Sequence, residues 1–195
     1  MSKVPTNSNL RYQICISGAA RGDSVGTGHE LAAAVAREVV KRGHIVMTGA
    51  TTGLPYYAAK AAKAAGGASI GFSPAMNRLG HVKQYHLPLD GCTTMLYTGF
   101  GYMGRDLLLV RSSDAVIMVG GRIGTLNEFT ISIEEHKPLG VMLGSGGMAS
   151  EVENVLKAAK RSRANIVFED DPVTLVDMIL ARLHAKYHHK LVRPE

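Results

Sequence analysis

The stretch AVIMVGGRIGTLNEFTISIEEHKPLGVML, from Ala115 to Leu143, decides the fold. It begins with an apolar run, turns at Gly120 and Gly121, continues with the helical pattern TLNEFTISIEEH and ends with a second apolar run. A strand, a helix and a strand in this order form a βαβ unit with two parallel strands. Near-continuous apolar strands are typical of a sheet that helices cover on both faces.

The same alternation continues on both sides of this unit. Apolar β-rich runs are predicted as strands, and stretches with apolar residues at helical spacing separate them. The predicted strands are residues 12–18, 44–49, 68–74, 92–99, 115–121, 138–144 and 166–170. The predicted helices are residues 29–43, 54–67, 104–113, 125–136, 150–162 and one that starts at Asp171, with Ser150 and Glu153 as a capping box. Residues 75–91 are predicted as a loop with a short extended piece. The sequence therefore predicts an α/β Rossmann-like fold with a parallel sheet of about six or seven strands.

The composition predicts one globular domain. A chain of 195 residues that is 46% hydrophobic forms a full core, and no shift in composition marks a second domain. We assign residues 1–195 to this domain, with residues 1–11 as an N-terminal extension and residues 186–195 as a basic tail. There is no secretory signal pattern and no apolar run of membrane-spanning length. Cys15 and Cys92 are expected to be reduced core thiols, which predicts a cytoplasmic protein without membrane association.

The net charge of +6 lies partly in the tail and partly around residues 157–163. We interpret these charges as solvated helix faces, and an anionic small ligand explains the excess as well as nucleic acid does. Nucleic-acid binding is not favoured, because aromatic residues are not interleaved with the basic ones. His184 and His188 have the i, i+4 spacing of a metal pair, but no nearby carboxylate or cysteine completes a site. Neither a metal nor a resident cofactor is predicted.

The glycine-rich turn after the predicted fifth strand is the sharpest candidate for a binding site. Glycines let backbone N–H groups approach a ligand, and the free amides and dipole at a helix N-terminus favour an anion. The predicted phosphate site comprises Gly120, Gly121, Arg122, Ile123, Gly124 and Thr125.

Glu128, just beyond this turn, has two interpretations. The segment from Thr125 to Glu128 fits a capping box, in which Thr125 is the N-cap residue and Glu128 bonds back to its amide. Alternatively, Glu128 faces the ligand as a functional carboxylate. The sequence leaves both open.

Arg105 is predicted in or near the first turn of the helix GRDLLLVRSS. A cation there opposes the helix dipole, which is easier to explain if the guanidinium holds an anion. The alternative is an ion pair with Asp106 or with a surface carboxylate. In a parallel sheet this turn lies on the same edge as the glycine turn, so Arg105 and Glu128 are expected in one cleft.

Other residues are predicted at this edge of the sheet. Gly18 and Gly49 end strands there, Thr52 and Gly53 follow the second strand, and all four are expected in the nucleotide-binding site. Several aromatic side chains near the rim suit a planar base. They are Tyr56, Tyr57, Tyr97, Phe100 and Tyr102.

Three segments resemble a known family. GGRIGTLNE resembles the PGGxGTxxE motif of the LONELY GUY (LOG) family, often described as lysine-decarboxylase-like. GRDLLLVRSSDAVIMVGG resembles the Arg-containing helix before that motif, and TGATTGLPYYAAKAAKAAGG resembles the family's GGxxGLM segment. The resemblance runs from about Tyr12 to Leu143. The wider group includes nucleotide-sensing modules and molybdenum-cofactor carriers.

The resemblance implies an activity. LOG enzymes cleave the N-glycosidic bond of nucleoside 5′-monophosphates to free base and ribose 5-phosphate. By resemblance, the glycine turn holds the 5′-phosphate, while Arg105 and Glu128 act catalytically at the ribose. LOG-like proteins are homodimers or higher homo-oligomers, and the apolar circumference of the helix TLNEFTISIEEH also favours assembly.

The sequence departs from the LOG pattern at several positions. Val119 replaces the Pro before the two glycines, Asp106 replaces a Lys, and Arg122 adds a charge inside the turn. Ala50 and Pro55 replace Gly and Met in the second segment. These changes bring the chain closer to the cofactor-carrier branch. A non-catalytic carrier or sensor of a nucleotide or phosphorylated pterin therefore remains an alternative, as does an interaction module with a vestigial cleft.

Overall fold

The computed structural model describes the backbone of residues 11–192 and the side chains of residues 11–187. The strands are β1 (Gln13–Gly18), β2 (Ile45–Thr48), β3 (Ser69–Ser73), β4 (Thr94–Tyr97), β5 (Ala115–Val119), β6 (Leu139–Met142) and β7 (Ile166–Glu169). The helices are α1 (Asp23–Lys41), α2 (Leu54–Ala64), α3 (Arg78–Lys83), α4 (Gly101–Ser112), α5 (Ile123–Glu134), α6 (Val152–Ala158) and α7 (Pro172–Val192). A 3-10 turn, Gly147–Glu151, leads into α6.

The strands form one parallel sheet of seven strands, in the order β4-β3-β2-β1-β5-β6-β7. The chain adds strands outward from β1 to β4 and then returns to the other side of β1 with β5. In this register Ile14 lies beside Ala115 and Gly18 beside Val119. The loops after β1 and β5 therefore diverge from a common point, where open α/β sheets bind their ligands. The predicted Rossmann-like α/β fold is confirmed.

Alternate residues of the central strands face two separate cores. Ile14 and Ile16 pack with α1, α2 and α7, whereas Cys15 packs with α4, α5 and α6. The helices contribute to the first core Val35, Val39, Leu54, Leu175 and Ile179. They contribute to the second core Leu109, Phe129, Val152 and Leu156.

Three details of the predicted elements were wrong. The stretch 75–91 contains α3, which starts where the Asn77 side chain accepts a hydrogen bond of 2.9 Å from the Gly80 amide. Helix α1 begins at Asp23, because the backbone changes direction at Gly22 with a φ of 97°. The predicted capping box at Ser150 does not form, since that residue lies in the 3-10 turn and α6 has no side-chain cap.

Other local predictions hold. The Asp171 carboxylate accepts a hydrogen bond of 2.8 Å from the Thr174 amide, as an N-cap residue does. Cys15 and Cys92 are buried free thiols.

Within residues 11–192, no helix is long and apolar enough to cross a membrane. Apart from Arg11, the predicted N-terminal extension lies outside the described residues, as do the last three residues of the predicted tail.

Candidate functional site

A cavity of about 660 Å³ opens at the carboxyl ends of β1, β2 and β5. This volume lies in the range of small-molecule binding sites. Its walls come from the loops after these strands and from α2, α4 and α5. The apolar part of the wall includes Ile16, Ala19, Pro55, Met103 and Leu126. The charged part comprises Arg21, Arg105, Asp106, Arg122 and Glu128.

Glu128 lies on the cavity wall and is only 6% exposed. The Ser17 hydroxyl at the end of β1 donates a hydrogen bond to Glu128 Oε2. Glu128 Oε1 lies 3.8 Å from Arg105 Nη1. The capping-box interpretation is wrong, because α5 begins at Ile123, two residues before Thr125, and its N-cap makes no side-chain hydrogen bond. Glu128 therefore lies in the second turn, with its carboxyl group directed at β1 and α4.

Arg105 is buried beneath the loop after β2. Its Nε lies 3.3 Å from Asp106 Oδ1, although this buried Nε has no partner with hydrogen-bond geometry. The guanidinium carbon lies 5.8 Å from the centre of the Tyr102 ring. A Cβ at position 49 would lie 1.5 Å from Arg105 Nη1, so the guanidinium occupies the space that Gly49 leaves.

The dipole argument for Arg105 does not hold. Helix α4 begins at Gly101, which places Arg105 in the second turn, where the dipole effect has faded. The ion pair with Asp106 is present, and Glu128 joins it. Arg105 is thus the central cation of a buried cluster with two carboxyl groups.

This cluster, composed of Arg105, Asp106 and Glu128, holds more acidic than basic groups. Asp106 is 2% exposed and accepts a hydrogen bond of 2.9 Å from Asn127 Nδ2. Burial raises the pKa of Asp106, against the opposing effect of Arg105. Burial also raises the pKa of Glu128 to about 7; Arg105 opposes this shift and Asp106 adds to it. One guanidinium cannot compensate two buried carboxylates, so the cluster retains a proton near neutral pH.

The first two glycines of the turn after β5 form part of the scaffold. Gly120 and Gly121 have φ angles of 57° and 112°, which favour glycine. The Gly120 amide donates a hydrogen bond of 2.7 Å to Ser145 Oγ, and its carbonyl accepts one from the Ala149 amide. The Gly121 carbonyl accepts a bond from the Met148 amide. The Gly120 amide is therefore committed to the protein, which the sequence prediction did not foresee.

The first turn of α5 presents backbone amides to the cavity. Ile123, Gly124 and Thr125 line the cavity, and amides in a first helical turn have no partner within their helix. No side chain caps this terminus. The Leu126 amide donates the first backbone hydrogen bond of the helix, to the Arg122 carbonyl. An anion at this point would be stabilised by the free N–H groups and by the dipole.

The other predicted binding residues divide into two groups. Gly18 and Gly49 line the cavity. Thr52 and Gly53 lie behind the wall. Thr52 Oγ1 donates a hydrogen bond of 3.0 Å to the Ala20 carbonyl in the loop after β1. A Cβ at Gly53 would collide with backbone atoms of Ala19 and Ala20 in that loop. They hold the loops after β1 and β2 together. Of the five predicted aromatic residues, Tyr102 lines the cavity.

The sequence analysis missed several residues of the site, among them three polar or charged ones that hold or line it. Ser17 holds Glu128, Ser145 holds the glycine turn, and Arg21 lines the cavity. A signal for Ser17 existed, since a polar residue in a strand with both faces buried needs a partner. The partner itself lies 111 positions away along the chain.

The fold defines a class, the Rossmann-like α/β proteins, and the cavity lies at the switch point of the parallel sheet, where proteins of this class bind their ligands. Within this class, the chain belongs to the SLOG cluster4 family, whose sequence profile matches residues 11–176. A protein of Archaeoglobus fulgidus, described only as uncharacterized, is 30% identical over 125 residues, which cover 64% of this chain and 76% of that protein.

Many solved structures share the fold, among them two that are described by their ligand. The molybdenum cofactor binding protein from Rippkaea orientalis has a TM-score of 0.72 and 22% identity, covering 89% of this chain and 98% of that chain. The molybdenum cofactor carrier protein from Chlamydomonas reinhardtii has a TM-score of 0.68 and 22% identity, covering 90% of this chain and 99% of that chain. These likenesses show the fold, and the family match shows the SLOG cluster4 family; membership of the LOG family itself is not shown.

Proposed function

We propose that the protein binds a nucleoside 5′-monophosphate and hydrolyses its N-glycosidic bond to free base and ribose 5-phosphate. One observation carries this proposal: the Glu128 carboxyl group, with its pKa raised to about 7, lies on the wall of a nucleotide-sized cavity. A group whose pKa is close to the working pH is suited to acid–base catalysis. We expect the protein to act in the cytoplasm, where its buried free thiols stay reduced.

The cavity suggests how such a ligand binds. The 5′-phosphate accepts hydrogen bonds from the first-turn amides of α5, at Ile123, Gly124 and Thr125. The base lies against the apolar wall near Pro55 and Tyr102, which suit a planar ring. The ribose then lies between these ends, next to Glu128.

Glu128 and Arg105 have separate roles in this proposal. Glu128, when ionised, accepts a proton from a water molecule whose oxygen attacks the anomeric carbon. The C–N bond breaks, and its electron pair leaves with the base, which takes up a proton from solvent, while Glu128 returns its own proton to solvent. The carboxylate also stabilises the positive charge that develops on the sugar, as in other glycoside cleavages. Arg105 keeps Glu128 in place and balances its charge.

A second candidate function is a carrier or sensor that binds a nucleotide or phosphorylated pterin unchanged. The observation in its favour is the position of Asp106, which already pairs with Arg105. With Glu128 also close, the guanidinium has less positive charge available for a reacting ligand. The fold shared with the molybdenum cofactor proteins supports the same alternative.

Base release distinguishes the two functions. The protein is incubated with a panel of nucleoside 5′-monophosphates, and free base is separated by chromatography. We expect at least one nucleotide to yield base and ribose 5-phosphate in equal amounts. Nucleotides that bind, as calorimetry shows, but release no base would overturn the hydrolase proposal and leave the carrier.

Substitution of Gly124 tests the phosphate site. Gly124 has an ordinary helical backbone, and nothing lies within 4 Å of a Cβ placed there, so Gly124→Val is expected to fold normally. The new side chain would project where the phosphate approaches the amides. We expect nucleotide affinity to fall about tenfold or more, the loss of one or two charge-assisted hydrogen bonds. Calorimetric titration measures it, and melting temperature checks the fold.

The matched control for this substitution is Gly26→Val. Gly26 is also an exposed helical glycine without atoms within 4 Å of a Cβ, but it lies in α1 away from the cavity. Its variant should bind nucleotide as wild type does. Equal affinities of the Gly124 and Gly26 variants would show that the α5 terminus does not hold the phosphate.

A homodimer or higher homo-oligomer is the expected assembly. In α5, Leu126, Phe129, Ile131 and Ile133 are buried or half-buried, contrary to the expectation that they cover an exposed circumference. Ile123, at the start of α5 and on the cavity wall, is 80% exposed. Instead, large apolar side chains are exposed on and beside α4: Phe100 is 70%, Met103 66% and Leu107 42% exposed.

We expect sedimentation at micromolar concentration to give a multiple of the chain mass, and we expect Leu107→Glu to reduce this mass. Val173→Glu, on the exposed side of α7, is the control; a single-chain mass for wild type would contradict the prediction.

A further inference from the structure

The charges on the cavity wall are separated by depth. At the floor, Arg105 is surrounded by Asp106 and Glu128, and all three side chains are buried. At the mouth are Arg21, in the loop after β1, and Arg122, the N-cap residue of α5, both exposed. The floor therefore carries an excess of carboxyl groups, whereas the mouth carries two cations.

The two arginines at the mouth have no counterion among the residues whose side chains the structure describes. Among the described residues, neither guanidinium forms an ion pair or hydrogen bond. The Arg122 side chain lies along the loop that carries Arg21, since a Cβ at Gly22 would lie 3.4 Å from Arg122 Cδ. Asp23 follows in α1, but it pairs with neither arginine. Two like charges in neighbouring loops repel each other unless an anion lies between them.

We propose that Arg21 and Arg122 form a second anion subsite at the cavity mouth, and that the ligand carries two linked phosphoryl groups, as a nucleoside diphosphate does. This inference rests on the proposed function, in which the first-turn amides of α5 take one phosphoryl group. Arg122 directly precedes those amides and lines the same cavity, with its side chain extending toward Gly22 in the loop after β1, so a second phosphoryl group between the two loops would lie next to it. The planar guanidinium presents paired donors that match phosphoryl oxygens.

The polarity of the cavity also orients this ligand. Phosphoryl oxygens are attracted by the two arginines at the mouth, whereas the charge of Arg105 at the floor is already balanced by the carboxyl groups of Asp106 and Glu128. The uncharged sugar therefore faces Glu128, while the diphosphate points outward. The proposed cleavage needs only the sugar at Glu128, so a nucleoside 5′-diphosphate would be cleaved in the same way, to free base and ribose 5-diphosphate. A monophosphate is then a smaller substrate that leaves the second subsite empty.

Inorganic anions test the subsite without knowledge of the base. Calorimetry compares pyrophosphate with phosphate for wild type, Arg21→Gln, Arg122→Gln and the double variant. We expect wild type to bind pyrophosphate about tenfold more tightly than phosphate, each single variant to lose about tenfold for pyrophosphate, and the double variant to bind both anions about equally. Arg37→Gln is the control, because it removes the same charge from an exposed arginine of α1 that pairs with Glu30.

Three results would overturn the subsite: no binding of pyrophosphate, equal binding of both anions by wild type, or an equal loss in the Arg37 variant. These results are separate from the base-release assay. Base release from monophosphates together with equal binding of the two anions would contradict the second subsite but support the hydrolase. Selective pyrophosphate binding without base release would support the subsite and indicate that the protein is a carrier.

Discussion

Replacement of Glu128 by Gln is expected to lower base release by about a hundredfold or more, the usual scale for losing a catalytic acid–base group. Gln keeps the size of the side chain, and the Ser17 hydroxyl still finds an oxygen to which it can donate. The change therefore removes the charge and the proton transfer while leaving the cavity in place. Rates of base release by variant and wild type, measured by chromatography, give the effect.

The same variant is expected to be more stable than wild type at alkaline pH. The fold raises the pKa of Glu128 from 4.5 to about 7, so the folded state favours the protonated carboxyl. This contribution to stability is fully present below pH 4.5 and is lost as the pH rises through 7. At pH 8 the ionised carboxylate costs wild type about 3 kcal/mol, which Gln does not incur. Urea unfolding at pH 5 and pH 8 measures the difference.

Glu134→Gln is the control for both effects, because Glu134 is an exposed carboxylate of the same helix that pairs with Arg161. It should change neither base release nor the pH dependence of unfolding. A Glu128 variant with wild-type base release would exclude the carboxylate from catalysis. A Glu128 variant with lower stability than wild type at pH 8 would show that the buried carboxylate is held ionised by Arg105.

Gly49→Ala is expected to destabilise the protein by about 3–5 kcal/mol, the usual cost of breaking a buried ion pair. The new Cβ would lie 1.5 Å from Arg105 Nη1, so the guanidinium must leave its place. Asp106 and Glu128 would then share a buried site without a cation. Base release should fall as well, because Glu128 loses the group that positions it.

Urea unfolding of Gly49→Ala at pH 8 measures this cost, because both carboxyl groups are then most ionised. The control is Gly26→Ala, an exposed helical position that should be neutral or gain about 0.5–1 kcal/mol. If Gly49→Ala lowered the free energy of unfolding by less than about 1 kcal/mol, the guanidinium would have moved at little cost. The buried cluster would then not depend on Arg105.

The order of the elements was predictable, because the patterns that encode it are local. Apolar runs and helical spacing recur within windows of a few residues, and parallel strands follow from their alternation with helices. The meeting of Arg105 and Glu128 on one cavity wall was predictable for the same reason, since loops at the carboxyl ends of parallel strands share an edge. The prediction failed where the helical pattern is short. Helix α3 has only six residues, too few to show helical periodicity.

The interpretation of single residues at the site depended on contacts between distant parts of the chain. Glu128 fits a capping box by spacing, but α5 starts three residues earlier than that motif requires, and the carboxyl group accepts a hydrogen bond from Ser17 instead. The Gly120 amide was expected to bind phosphate, but it donates its hydrogen bond to Ser145 Oγ. Ser17 and Ser145 are both far along the chain from the groups to which they bond, Glu128 and Gly120.

The sequence by itself thus determined the parallel α/β sheet, the edge that carries the cavity and the residue types on its wall. Only the tertiary structure decided which amides remain free, which charges are buried together and which lie unpaired at the mouth. The physical reason is that periodicity and turn chemistry act within a few residues. Burial of a charge, in contrast, depends on every element that packs around it, so the pKa of Glu128 and the place of Arg105 exist only in the folded chain.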